Sequence, residues 1–257
     1  MNKKVSILGI FILIMIIIIT FGYRKLGTIE DKLKLQEEDK YFKYYSNEND
    51  SKAIKELSEV LNDNYSAITE RFDTNLETKV EITIYPNIKE FHKAIGNEDA
   101  SDGIVGVAYD NTIKMVSPLN PGSIHNKESL LKVIVHEFVH IVTFNINNKK
   151  ENNIPTWFME GVSVYEANQI TDYEKKAIRE NLYQNTDITI DDINDNFYNN
   201  QFSYLYSGSI VGFIVNEFGY EKLIQVIKSP NDIENILDLS IEELKNNWIN
   251  YVEKNYK

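Results

Sequence analysis

The chain is 257 residues long and carries 27 Lys and Arg against 39 Asp and Glu, a formal net charge of −12. Hydrophobic residues make up 42% of it, enough for one sizeable core and too many for a disordered chain. The absence of cysteine excludes disulfides, thiolate metal sites and cysteine nucleophiles, and the acidic balance without a basic cluster argues against a nucleic-acid partner.

From Val5 to Tyr23 no residue is charged, and Ile7–Ile19 is almost wholly Ile, Leu, Phe and Met. As a helix this run would span roughly 29 Å, close to the hydrocarbon core of a bilayer. Residues 1–27 therefore read as an N-terminal membrane anchor or a cleaved signal segment. Either places the remainder on the cell membrane as a single-pass protein with an extracytoplasmic domain, or beyond it as a secreted one. Residues 28–50 are rich in charge and read as a solvated juxtamembrane segment, with a short strand at Tyr41–Tyr45. The globular domain is expected over 51–257.

Ala53, Ile54, Leu57, Val60, Leu61, Tyr65 and Ile68 recur at helical spacing, so residues 51–72 are predicted to form an amphipathic helix. Val80, Ile82 and Ile84 alternate with Glu81, Thr83 and Tyr85 up to Pro86, which predicts a strand. A short helix over 89–95 stops at Gly96. Two strands follow, Ile104–Tyr109 and Ile113–Ser117, joined through a hairpin turn at Asp110-Asn111. From Glu128 onward the pattern is helical almost to the end. The fold class is thus α+β, a small mixed sheet with a mostly helical C-terminal half. The acidic stretch 187–200 lacks calcium-loop spacing and reads as a polar surface connector. Trp248 and Tyr251 are expected to close the core.

His136-Glu137-Phe138-Val139-His140 lies inside Leu130–Ile146, which is apolar on nearly every face and so predicts a buried helix. Four residues at about 100° each place the two imidazoles about 40° apart, on one side of the helix and one turn from each other. That geometry suits two nitrogens on one Zn²⁺, with Glu137 beside them as a base for a zinc-activated water. Burying two imidazoles and a carboxylate in so apolar a stretch costs several kcal/mol, on the order quoted for unpaired polar groups, unless they are paired or metal-bound. A catalytic zinc needs a third protein ligand. His92 and His125, the other two histidines of the chain, lie upstream in a helix and a loop. Downstream, Pro155–Tyr165 reads as a second helix in which Glu160 is a charge among apolar neighbours and needs a partner. Gly161 beside it costs about 1 kcal/mol against Ala in a helix, so it is expected to serve close approach to another backbone, that of the zinc helix.

The His136–His140 motif, with Glu160 twenty residues after His140 in Trp157-Phe158-Met159-Glu160-Gly161, resembles the gluzincin zinc metallopeptidases. It most closely resembles the bacterial peptidase MA-like proteins, over roughly residues 40–257. The resemblance implies a thermolysin-like catalytic core in which His136, His140 and Glu160 hold one zinc ion and Glu137 activates water. It implies a peptide or protein substrate that adds to a sheet edge, expected to be the strand Ile113–Ser117. Tyr204, the tyrosine of the family pattern, is the candidate for stabilising the oxyanion. Thermolysin-like enzymes also carry an Asp four residues after the glutamate ligand, which orients the first histidine. Here that residue is Val164, so the outer partner of His136 stays open. Two other readings remain beside the peptidase: a pseudopeptidase whose zinc is only a structural staple, and a membrane-tethered binding domain in which the motif is coincidental.

Overall fold

The computed structural model describes residues 33–47, 50–147, 154–185, 187–200 and 202–257; the 1–27 anchor or signal segment lies outside them. Five strands form one sheet: β1 (Lys34–Glu38), β2 (Phe42–Ser46), β3 (Val80–Tyr85), β4 (Gly106–Tyr109) and β5 (Thr112–Val116), in the order β1-β2-β3-β5-β4. The central pairs β2/β3 and β3/β5 are parallel, and each outer strand is antiparallel to its neighbour. Sheet and helices together make the α+β fold that the sequence predicts.

The short strand expected at Tyr41–Tyr45 is present as β2; the first of two corrections to the sheet is its antiparallel partner β1, in a stretch read as solvated segment only. Phe42 and Tyr44 of β2 are fully buried and alternate with half-buried residues, whereas every side chain of β1 is exposed. Strand β1 is held by its backbone ladder and by polar side-chain contacts such as Gln36 Nε2 to Ser46 O and Lys79 Nζ to Glu38 Oε1, so its sequence carries no apolar alternation to read. The second correction concerns the edge. Strand β5 is internal, because Thr112–Val116 pairs with Glu81–Tyr85 of β3 on one side and with β4 on the other. The Asp110-Asn111 turn, with Asp110 at φ 50°, folds β4 to the outside. The burial agrees: Ile113, Met115 and Val116 are buried, while β4 is half-buried to exposed.

Helix α1 (Ser51–Arg71) covers the sheet with Ile54, Leu57, Leu61 and Ile68, and α2 (Ile88–Ala94) follows β3 and ends before Gly96 at φ 72°. Helix α3 (Lys127–Ile146) starts at an Asn126–Ser129 capping box and packs against α1, β4 and β5. It is long and apolar enough to cross a membrane by length and composition, but it is mostly buried as the central core helix. On its far side lies α4 (Thr156–Glu166), with Pro155 at the N-cap. The chain continues through α5 (Asp172–Gln184), α6 (Ile190–Asp195), α7 (Ser203–Lys228), α8 (Ile233–Leu237) and α9 (Ile241–Asn255). The 187–200 connector is partly helical, and Asp192 forms a capping box with Thr189. Trp248 of α9 is buried against Tyr206 and donates to Ser209 Oγ at 2.8 Å.

Helices α4 and α7 meet through glycines. A methyl group on Gly161 would stand 2.6 Å from the Ser207 carbonyl oxygen, and one on Gly208 would collide with Val164. The close approach served by Gly161 is therefore to α7, not to α3 as the sequence suggests. Helix α7 itself breaks at Gly219, whose φ of 78° and ψ of 171° leave the helical region.

Candidate metal centre

His136 and His140 project from successive turns of α3 toward α4, their rings 4.7 Å apart and nearly perpendicular. Glu160, on the second turn of α4, turns its carboxylate to meet them. Its Oε2 lies 3.0 Å from His136 Nε2 and 3.6 Å from His140 Nε2. All three side chains are buried, and one donor atom of each lies within 4.8 Å of the others. The fold thus brings together the two histidines and the glutamate that the sequence nominates. Three donors converging on one point, two nitrogens and one carboxylate oxygen, are a donor set suited to zinc.

The outer nitrogens of both imidazoles are occupied. His136 Nδ1 donates to Gln169 Oε1 at 3.0 Å, and His140 Nδ1 is hydrogen-bonded to Ser163 Oγ at 3.1 Å. With Nδ1 engaged, each ring turns Nε2 to the centre, which is how outer partners set the tautomer of a metal-binding histidine. Gln169 fills the part left open by Val164, whose side chain instead fills the groove beside Gly208. The loop carrying Gln169 is placed by Asn168, at φ 49°, whose carbonyl accepts from Lys132 Nζ of α3 at 2.7 Å. Sequence reasoning missed both partners. Ser163 sits three residues after Glu160, on the same helix face, and that spacing is the signal that would have found it. Nothing local marks Gln169.

Burial opposes charge throughout this cluster. It would raise the Glu160 carboxyl, but the charge of His140 and the hydrogen bond from His136 overrule it and hold the group well below the usual carboxylate range. Burial would likewise lower His136, yet the hydrogen bond to Glu160 and the charges of Glu160 and Glu137 raise it. Glu137 is pushed up by burial, against the pull of both imidazoles. Glu137 faces β4. A methyl on Gly106 would stand 3.0 Å from Glu137 Oε1 and 2.8 Å from Val133 Cγ1, so only a glycine lets the edge strand lie this close to Glu137.

Tyr204, at the start of α7, packs its ring against Phe197 with centroids 4.7 Å apart. Burial first, then the charges of Glu160 and Glu137, raise its phenol. Tyr198 is a second phenol in the same surroundings, pushed up to about 12 by burial and by Glu160. Sixteen tyrosines in the sequence offer no means of singling it out.

No curated protein matches the chain. The family model of the Peptidase MA superfamily matches residues 63–254, most of the chain, and runs through α3, α4 and the whole His136–Glu160 centre. Such a match supports a peptidase with a peptide or protein substrate. With this match added to a sheet-edge strand lying against a His-Glu-x-x-His helix, the chain belongs to the Peptidase MA superfamily.

Proposed function

We propose that the protein is a zinc-dependent peptidase of the gluzincin type, in which His136, His140 and Glu160 hold the metal and Glu137 is the general base. The observation that carries this reading is the convergence of His136 Nε2, His140 Nε2 and Glu160 Oε2, within 4.8 Å and buried, beside a second buried carboxylate that is not one of the three. When bound, the zinc supplies a Lewis acid that polarises the scissile carbonyl and makes water a better nucleophile at neutral pH. The chain's own residues do the rest. Glu137 takes the proton of the attacking water and passes it to the leaving amine; a carboxyl raised by burial is suited to holding a proton between the two transfers. Gln169 and Ser163 keep the two imidazoles turned inward. Among the described residues no further strand pairs with the outer edge of β4, so an extended peptide can pair there beside Glu137. Tyr204 is the candidate donor to the developing oxyanion. The uncharged run Val5–Tyr23 supports tethering to the membrane, or export, with this domain outside the cytoplasm.

Zinc content of the purified protein and digestion of a peptide library test the reading together. Glu137→Gln is expected to keep one zinc per chain and to lose hydrolysis by at least about a thousandfold. Retained cleavage in the metal-replete variant would remove Glu137 from its assigned role. A wild-type protein that binds zinc and cleaves nothing would be a pseudopeptidase, and one without zinc affinity a binding domain.

A further inference from the structure

Two histidines play no part in the metal centre, yet both act on the strand that borders it. His92, on α2, is 3% exposed and places Nε2 2.9 Å from the carbonyl oxygen of Ile104. His125, immediately ahead of the Asn126 cap of α3, places Nε2 3.1 Å from the carbonyl oxygen of Gly103, with its Nδ1 3.2 Å from Ser129 Oγ in the capping box. A carbonyl oxygen only accepts, so Nε2 carries the hydrogen in both rings. Successive carbonyls are therefore gripped from two different elements. Three residues after Gly103 comes Gly106, which opens β4 and lies against Glu137.

We infer that His92 and His125 are positioning residues that pin the lead-in to β4 and so set the gap between the substrate-binding edge and Glu137. The inference rests on the peptidase reading for its functional half. Strand β4 has four residues and, among the described residues, one neighbour in the sheet, so its ladder with β5 holds it from one side only. The turn before it gains little from burial, because Ser101 to Ile104 are exposed and the Ile104 side chain is 39% exposed. Its own backbone bonds are local, Ile104 N to Ser101 O at 2.9 Å and Gly103 N to Ser101 Oγ at 3.2 Å. Asp102 accepts from Ser123 Oγ at 3.3 Å at the surface, and the chain joins the sheet only at buried Val105, whose carbonyl accepts from Val116 N at 2.9 Å. The two imidazoles attach it, one to α2 and the other to the start of the helix that carries Glu137. All four histidines of this chain thus serve one cleft: two face the metal position, and two hold its wall.

The test uses the full-length, zinc-loaded protein with His92→Leu and His125→Leu, which keep bulk and remove the donor, and with His92→Gln and His125→Gln, whose side-chain amide restores one. Amide exchange at Gly106–Tyr109 is expected to quicken about three- to tenfold in each Leu variant, the worth of one hydrogen bond, and to return toward wild type in the Gln variants. KM for a peptide substrate is expected to rise by a similar factor while kcat stays within about twofold and zinc content is unchanged. Unaltered exchange in β4, or a fall in kcat at constant KM, would overturn the inference. So would quickened exchange with an unchanged KM. Should the buried His92→Leu protein fail to fold, the half-buried His125 pair decides. If the wild-type protein cleaves no peptide, the peptidase reading fails, whereas exchange at β4 still decides whether the histidines clamp it.

Discussion

Gly161→Ala isolates the coupling between the α4–α7 contact and the metal centre. The added methyl would stand 2.6 Å from Ser207 O, 2.8 Å from Ser207 C and 2.9 Å from Val211 Cγ2. Two of these are backbone atoms inside a helix and cannot rotate away. Ordinary contact begins near 3.4 Å, so α4 and α7 must part by roughly 0.8 Å at this point. Overpacking of this kind costs about 1–3 kcal/mol, and the better helix propensity of Ala returns about 1. The net loss, up to about 2 kcal/mol, lowers Tm by up to roughly 8 °C for a domain of this size. Glu160 is the adjacent residue, and α7 can displace α4 only toward α3. Its carboxylate, 3.0 and 3.6 Å from the two imidazoles, is then pressed out of register, and zinc affinity is expected to fall about tenfold or more. Scanning calorimetry of the metal-free protein and chelator competition for zinc read the two effects separately. A variant that melts higher than wild type and binds zinc within a factor of two would refute the idea that the glycine contact sets the position of Glu160.

Three further outcomes follow from the same geometry. Gln169→Leu removes the acceptor from His136 Nδ1 and should weaken zinc binding about ten- to a hundredfold by competition titration, with little change in the metal-free Tm. Zinc affinity should fall as pH falls: Glu160 raises His136 above the ordinary imidazole value, the metal must displace that proton, and below the raised value affinity drops about tenfold per pH unit. A dissociation constant independent of pH between 5 and 7, roughly the imidazole range, would contradict this order of events. Arg71→Leu strips Glu166, whose side chain is 1% exposed, of a cation bonded at 2.5 and 3.1 Å and leaves it only the Tyr220 hydroxyl at 2.7 Å. Because the guanidinium is itself 37% exposed, the expected loss is about 2–3 kcal/mol in denaturant melts, less than for a fully buried pair, and Arg71→Leu with Glu166→Leu should recover much of it.

What the sequence made legible was whatever repeats at a helical or strand period. The 3.6-residue pattern from Ala53 to Ile68, the alternation Val80–Ile84 and the spacing of His136 and His140 each describe one element, and the structure contains each. Glu160 was legible for a related reason, as a charge that a hydrophobic helix cannot leave unpaired. Relations between elements were not. That Gly161 faces Ser207 rather than α3 depends on which helix packs on α4, and nothing in the eleven residues of α4 encodes that choice. Gln169 reaches His136 across a turn made by one left-handed residue, and Ser163 reaches His140 only because α3 and α4 face each other along that side. The edge position of β4 follows from pairing order, not from its composition.

Charge balance gives an independent reason for a divalent cation at the centre. Among the described residues, the buried carboxylates are Asp50, Glu137, Glu160 and Glu166. Glu166 has Arg71 and the Tyr220 hydroxyl, and Asp50 accepts from Ser117 Oγ at 3.1 Å at the start of α1. Glu137 and Glu160 have no lysine or arginine; their neighbours are the two imidazoles, each already engaged at Nδ1 by a neutral partner. Two carboxylates facing neutral rings in a buried site leave a charge of −2, at a desolvation cost of several kcal/mol per ion by the effective penalties found in proteins. Protonating His136 relieves half of it, and this is the state toward which its raised pKa leans. One divalent cation relieves all of it, touching His136, His140 and Glu160 at once and leaving Glu137 ionised beside it. The substitution Glu137→Gln removes one of the two charges. In its metal-free form the Glu137→Gln protein should therefore melt higher than wild type at neutral pH, by roughly 2–5 °C, an effect independent of any catalytic role. A lower Tm would mean that the wild-type carboxylate is already neutralised without the metal, and the electrostatic case for a dication would fall with it.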